Sequence, residues 1–329
     1  MKSTVYDIPL IDLQPQFDNP VAEAEIAKKI GDACKNSGFF AVRGHGIPVK
    51  IIEHCWQVSH DFFSLAEAEK LKVQMPFAGY PYGFAAMEAE TLSLSRGEHA
   101  PPDLKENFSA GPNATPPAGI SADEALFVFS ENQWPQEPAN FKQAWETCYE
   151  AMSLLSMRLM RLFALALNLP QNYFDEFLRQ PISAFRANHY PALNKAALPG
   201  QLRAGAHSDY GSLTLLLQEE GLSGLEILNR QKKWIPVTPC MPEVIVNLGD
   251  LMERWTNGRW LSTLHRVNIP ESKTAQNQSR MSLVFFQQPD WDARIECLPT
   301  CLDPDGTAKY QVLTSGRHLM ERFHSTVLN

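Results

Sequence analysis

His207 and Asp209 stand two residues apart in the run Ala206-His207-Ser208-Asp209, and His265 follows further on in Leu264-His265-Arg266-Val267. In an extended segment, side chains at i and i+2 share a face, so the imidazole and the carboxylate can converge while Ser208 turns away. His265 must reach the same point from another strand, and the apolar alternation from Ser262 to Val267 reads as one. Two imidazoles and one carboxylate on one face form the donor set that holds non-haem Fe(II) with positions left open, which points to oxygen chemistry. The blander alternative is a pair of hydrogen-bonded core histidines beside an unrelated aspartate, because a short motif taken alone often arises by chance.

A second pair weighs against chance. Arg280 and Ser282 sit at i and i+2 in the apolar run Arg280-Met281-Ser282-Leu283-Val284-Phe285-Phe286, so a guanidinium fork and a hydroxyl share one strand face. An arginine in so apolar a strand is costly to bury without an anionic partner. That partner is either a bound carboxylate or a protein acid such as Asp250. Upstream, Asn188 and Tyr190 share a parity in Arg186-Ala187-Asn188-His189-Tyr190-Pro191 and can extend the same polar cradle.

Taken in order, these residues resemble the plant-type, isopenicillin-N-synthase-like Fe(II)/2-oxoglutarate-dependent dioxygenases. The resemblance covers nearly the whole chain. Ile8-Pro9-Leu10-Ile11-Asp12-Leu13 matches the family's opening strand, followed by Gly38-Phe39-Phe40-Ala41-Val42 and Gly44-His45-Gly46-Ile47-Pro48. The C-terminal half adds His207-Ser208-Asp209, Asn247-Leu248-Gly249-Asp250, Asn257-Gly258, Ser262, His265-Arg266-Val267 and Arg280-Met281-Ser282.

The resemblance implies His207, Asp209 and His265 as ligands of Fe(II). It implies Arg280 and Ser282 as partners of the distal carboxylate of 2-oxoglutarate, Asn188 and Tyr190 as further contacts of that cosubstrate, and O2 as the oxidant. The activity implied is oxidation of an unactivated C–H bond of a small molecule, foremost hydroxylation, with release of succinate and CO2. Relatives with the same triad and Arg-x-Ser pair that do not use 2-oxoglutarate, such as isopenicillin N synthase, keep a second reading open: an iron oxidase that cyclises or desaturates. A third is a non-catalytic ligand-binding barrel, against which the complete set of costly polar groups argues.

The implied fold is mainly β with flanking helices: a double-stranded β-helix, or jelly-roll, with a helical N-terminal subregion. The residues support the class independently. Glu219-Glu220-Gly221, Gly224 and Asn229-Arg230 divide the apolar runs Leu213–Leu217, Leu225–Leu228 and Trp234–Val237 into short strands, a series that favours a sandwich or barrel. Upstream, apolar residues recur at three- and four-residue intervals over about 21–36, 49–73 and 138–167, which reads as amphipathic helix. Shorter helices are expected near 172–179 and 315–323. The stripe Ala144, Cys148, Ala151, Met152, Leu155, Leu159, Leu162 and Phe163 is read as a helix packed on a sheet.

With 329 residues, 44% of them hydrophobic, and no linker or repeat, the chain is expected to form one domain over 1–329. Within it, about 1–130 forms the N-terminal subregion and about 180–290 the jelly-roll core. A net charge of -8 and a pI near 5.6 argue against nucleic-acid or anionic-membrane partners. Residues 1–7 carry no apolar signal segment, so the cytoplasm is the expected compartment. Cys34, Cys55, Cys148, Cys240, Cys297 and Cys301 do not make a disulfide framework in a chain of this length.

For substrate contacts, the irregular aromatic stretch Phe77–Met87 offers Tyr80, Tyr82 and Phe84, with loop packing as the alternative. Phe286 and Gln288 share the parity of Arg280 and Ser282. Eight acidic residues between Glu88 and Glu131 are read as solvated surface, with an amine-bearing substrate as the sharper alternative.

Overall fold

The computed structural model describes residues 8–14, 19–77, 79–219, 224–238 and 242–325. Residues 1–7, the Glu220-Gly221 turn and Cys240 lie outside the described residues. The N-terminal part comprises β1 (Leu10–Asp12), α1 (Pro20–Asn36), β2 (Phe39–Arg43), α2 (Val49–Phe63) and the one-turn α3 (Glu67–Lys70). Next come β3 (Gly83–Ala85), β4 (Glu106–Ala110), α4 (Ala122–Val128) and the long α5 (Phe141–Ala166). The strand-rich half runs through β5 (Ala184–Tyr190), β6 (Ala204–His207), β7 (Leu213–Gln218), β8 (Leu225–Leu228), β9 (Trp234–Pro236) and β10 (Val244–Leu248). It continues with α6 (Asp250–Trp255), β11 (His265–Val267), α7 (Lys273–Gln276), β12 (Arg280–Gln287), β13 (Arg294–Ile295), β14 (Leu313–Thr314) and α8 (Ser315–His324).

Two main sheets form a jelly-roll core whose edges stay open. Eight strands are ordered β1-β2-β10-β7-β12-β5-β4-β3, and four are ordered β6-β11-β8-β9. Period-two alternation divides the labour of the large sheet. Leu213, Leu215 and Leu217 of β7, Met281, Leu283 and Phe285 of β12, and Phe185 and Ala187 of β5 are buried in the main core with α5. The intervening residues of the same strands face a cavity between the sheets. The expected stripe on α5 is thus core: Trp145 stacks against Phe141 and meets Phe108 and Phe185 edge-on, and its indole N–H donates to Ser59 Oγ at 3.1 Å.

The helical expectations need three adjustments. α1 opens where Asn19 accepts the N–H of Val21 at 3.1 Å with Pro20 in the first turn. The segment 49–73 is broken, because Ser64 returns both its N–H and its hydroxyl to the His60 carbonyl and Ala66 is extended before α3 begins. Over 172–179 only the 3-10 turn Asp175–Phe177 forms. There the Asp290 carboxylate takes the N–H groups of Arg179 and Gln180, which a continuing helix would need for itself. Finally, the strand expected over 262–267 begins only at His265. No helix among the described residues is long and apolar enough to cross a membrane.

Candidate active site

His207 ends β6 and lies directly opposite His265 of β11, so antiparallel register brings the two rings to a centroid separation of 4.3 Å. Asp209 follows in the turn, with Oδ1 at 3.8 Å from His207 Nε2 and 3.7 Å from His265 Nε2. One donor atom from each of the three residues lies within 4.8 Å of the others, an arrangement that could hold a metal ion. The surroundings fix which atoms point inward. His207 Nδ1 lies 2.7 Å from the Gly205 carbonyl oxygen, and His265 Nδ1 lies 3.1 Å from that of Thr263. Carbonyl oxygens only accept, so each ring carries its proton on Nδ1 and offers a lone pair at Nε2.

The carboxylate is oriented in the same way. Thr214 Oγ1 and Asn247 Nδ2 both donate to Asp209 Oδ2 at 2.6 Å, which leaves Oδ1 for the centre. Those two donors are register partners on β7 and β10, so the sheet itself places them together. Behind them, Gly211 and Gly249 pack backbone against backbone, and a Cβ on Gly249 would come within 2.2 Å of the Gly211 carbonyl oxygen. Burial, then the neighbouring His265, push the His207 imidazole down to about 3, so it is neutral and able to ligate. Burial would raise Asp209, but His265, His207 and its two hydrogen bonds hold it below the ordinary carboxylate range.

At the other end of the same cavity stands Arg280, 1% exposed. Its Nη2 donates to Gln218 Oε1 at 3.2 Å and its guanidinium lies over the Tyr190 ring at 4.9 Å, while Nε and Nη1 are buried with no partner. Among the described residues no carboxylate forms an ion pair with it. Asp250, the alternative partner, instead accepts from Ser262 and pairs with Arg322. Burial lowers the affinity of Arg280 for its proton, with Tyr190 and Glu219 opposing. A buried cation with unspent N–H groups at the wall of a cavity fits a bound carboxylate. Ser282, Asn188 and Tyr190 line the same wall, Arg280 opposite Tyr190 and Ser282 opposite Asn188 in register, and Asn188 Oδ1 also lacks a partner.

The expected substrate contacts divide. Tyr82, Phe286 and Gln288 line the cavity, and the Tyr82 hydroxyl donates to the Val128 carbonyl at 2.7 Å. Phe84 does not: it is 1% exposed and packs edge-on against Phe62 in the core. Tyr80 also lies outside the lining, its hydroxyl given to the Glu131 carbonyl at 2.6 Å. Alternation does not carry across this segment, because Tyr82 lies in a bend before the three-residue β3 and Gly83 between it and Phe84 has a positive φ. The acidic stretch is also corrected, because Glu90, Asp103 and Glu106 are not solvated. Asp103 and Glu106 are buried and Glu90 half-buried, beside Lys105, Lys70 and Arg186. Gln218, Thr214 and Arg186 were missed as site residues, although Thr214 and Gln218 share a parity on β7, and Arg186 shares that of Asn188 and Tyr190.

Comparison with known proteins agrees with this geometry. Residues 8–137 match the family model described as non-haem dioxygenase in morphine synthesis N-terminal, and residues 181–289 match the 2OG-Fe(II) oxygenase superfamily. A homoarginine-6-hydroxylase of Oryza sativa subsp. japonica is 32% identical over 98% of each chain. The validamycin A dioxygenase of Streptomyces hygroscopicus subsp. limoneus is 30% identical over 96% of this chain and 85% of its own. A full-length Neurospora crassa protein solved with alpha-KG, which is 2-oxoglutarate, superposes with a TM-score of 0.85 at 30% identity over 99% of this chain and 98% of its own. The chain therefore belongs to the Fe(II)/2-oxoglutarate-dependent oxygenase family and is an iron- and 2-oxoglutarate-dependent dioxygenase.

Proposed function

We propose that this chain hydroxylates a small molecule at an unactivated C–H bond, with His207, Asp209 and His265 holding Fe(II). Arg280 and Ser282 would receive the distal carboxylate of 2-oxoglutarate, with Asn188 and Tyr190 beside it. The observation that carries the reading is the convergence of two Nε2 lone pairs and one carboxylate oxygen at one end of a cavity whose other end holds an unpaired buried arginine. When bound, Fe(II) and 2-oxoglutarate supply the oxidising power: O2 is consumed, 2-oxoglutarate becomes succinate and CO2, and R–H becomes R–OH.

The chain's own residues contribute placement. Thr214 and Asn247 hold Asp209 so that one oxygen faces the centre. The Gly205 and Thr263 carbonyls keep both imidazoles in the ligating tautomer. Arg280 fixes one end of the cosubstrate and so directs its other end along the wall towards the triad. The apolar lining at Phe286, Phe127 and Leu319 excludes water from the space where a C–H bond would be presented.

Small-molecule substrates are supported by the named relatives, one called a validamycin A dioxygenase and one solved with alpha-KG and thymine. The acidic balance supports them over nucleic acid. A cytoplasmic location belongs to the same proposal and is supported by the free thiols of Cys34, Cys55, Cys148, Cys297 and Cys301. The test is a metabolite screen for compounds that accelerate Fe(II)-dependent succinate formation, followed by mass measurement of the product. Gain of one oxygen atom, and loss of turnover in His207→Ala, are expected. A product lighter by two hydrogens would replace hydroxylation with desaturation, and no binding of 2-oxoglutarate to the anaerobic iron form would remove the cosubstrate assignment.

A further inference from the structure

Arg186 lies on the cavity-facing parity of β5, beyond Asn188 and Tyr190, with Val284 and Ser109 as its register neighbours. Tyr190, the partner of Arg280, stands four positions further along β5, so the two arginines are roughly 13 Å apart along the sheet. Two edges of its guanidinium are already spent. Nε donates to Ser109 Oγ at 2.8 Å, and Nη1 donates to the two oxygens of Glu90 at 3.1 and 3.2 Å. Lys105 Nζ donates to the same Glu90 at 2.7 Å. Burial would raise Glu90, but Arg186 and Lys105 pull it down to about 2, so the carboxylate is ionised and fully engaged.

What remains is Nη2. No hydrogen bond joins it to any described residue, and the Arg186 side chain, which lines the cavity, is 15% exposed. Thus a guanidinium anchored by Ser109 and Glu90 keeps one nitrogen unspent at the wall of the space between the sheets. Glu90 is already paired with two cations, Arg186 and Lys105. Lys105 is 3% exposed, and its other acidic neighbour, Asp103 at 4.0 Å, accepts instead from the Gly205 and Leu92 N–H groups. The charged donor of this chamber is therefore Arg186, and the same cavity is lined by the apolar Ile182, Phe286 and Pro81 as well as by Gln288 and Ser208.

We propose that Arg186 is the substrate anchor and that the substrate is a small organic acid, its carboxylate on Nη2 and its apolar body in the chamber beside the triad. This rests on the reading that Arg280 takes the cosubstrate. It replaces the amine-bearing substrate suggested by the acidic stretch, because the acid concerned is spent on fixing the arginine. A carboxylate on such a nitrogen adds an attraction between full charges, and the chance of a bidentate pair, that a neutral amide carbonyl lacks. An acid should therefore outbind its own primary amide by about tenfold.

Calorimetry on the anaerobic protein, with Fe(II) and saturating N-oxalylglycine to occupy Arg280, tests this with three matched pairs: benzoate and benzamide, phenylacetate and phenylacetamide, hexanoate and hexanamide. At least one acid should bind about tenfold more tightly than its amide. The preference should collapse in Arg186→Gln, and 2-oxoglutarate affinity should change less than about threefold. If Arg186→Gln does not fold, Arg186→Lys decides, since it keeps a charge against Glu90 but lacks the free arm and should also lose the preference. No acid outbinding its amide, or a preference that survives in the variant, overturns the proposal. Loss of 2-oxoglutarate binding in Arg186→Gln, with Arg280→Met unaffected, would instead exchange the roles of the two arginines and overturn the cosubstrate reading as well.

Discussion

Arg280→Met separates the cost of a group from its use. The native guanidinium is 1% exposed, with one hydrogen bond to Gln218 and two buried nitrogens unpaired, so the ligand-free protein bears an uncompensated cation. Methionine fills a similar volume without charge. Exchanging buried ionic groups for apolar ones of like size stabilises by about 1–4 kcal/mol, from which the lost contact with Tyr190 subtracts about 1 kcal/mol. The ligand-free, metal-free variant should therefore melt up to about 4 °C higher than the native protein, at roughly 1.5 °C per kcal/mol for a chain of 329 residues. Affinity for 2-oxoglutarate should move the other way. Two charge-assisted hydrogen bonds at about 1.5–3 kcal/mol each disappear, which is a rise in Kd of at least about a hundredfold. Calorimetry on the anaerobic iron form reads the second effect and thermal melting the first. A variant that melts lower and still binds 2-oxoglutarate within a few-fold of native would refute the reasoning, and loss of iron with 2-oxoglutarate binding intact would place Arg280 in the metal site.

Three further outcomes follow from the same geometry. Asn247→Leu removes one of the two donors to Asp209 Oδ2 and frees the carboxylate to rotate, so iron affinity should fall about 10–100-fold in a metal-binding titration, with 2-oxoglutarate affinity following only through the metal. In metal-free protein, burial holds His207 down to about 3 and His318 to about 4, whereas both bind protons near 6.5 when unfolded. The unfolded state takes up more protons between those values, so stability should fall as pH drops below about 6.5, by up to about 1.4 kcal/mol per pH unit for each group. Denaturation at stepped pH should show that slope, reduced in His318→Gln. Phe84→Ala should cost about 3–5 kcal/mol of stability by denaturant titration and leave 2-oxoglutarate affinity unchanged, because the ring packs with Phe62 and not in the cavity; an altered substrate range at native stability would return it to the site.

The parts of this molecule legible in its sequence are those where period-two alternation and chemistry coincide. Arg280, Ser282, Phe286 and Gln288 share a parity on or just beyond one strand, and all four face the cavity. The triad was readable because His207 and Asp209 are two apart and an extended chain does the rest. Tyr80 and Phe84 failed because the chain around them is irregular: Gly83 has a positive φ, β3 is three residues long, and alternation cannot be carried from one side of that bend to the other. The helical segment 49–73 failed at Ser64 for a related reason. Its apolar spacing continues across the break, but a serine hydroxyl competing for the His60 carbonyl is a local event that periodicity does not register.

The buried charges were hidden by a deeper difficulty. Glu90, Lys105 and Arg186 come from three separate segments, and nothing in the local sequence of any one announces the other two. Composition treats each as surface, since such residues are rarely buried unless paired. Only the sheet order, which sets β4 beside β5, brings Ser109 opposite Arg186 and makes room for Glu90 between the two cations. The groups proposed to hold iron and cosubstrate lie on elements whose spacing the chemistry fixes, so they repeat a pattern readable along the chain. The groups proposed to meet the substrate are assembled across it, which is why the class of reaction was readable from residues alone and the proposed substrate anchor required the fold.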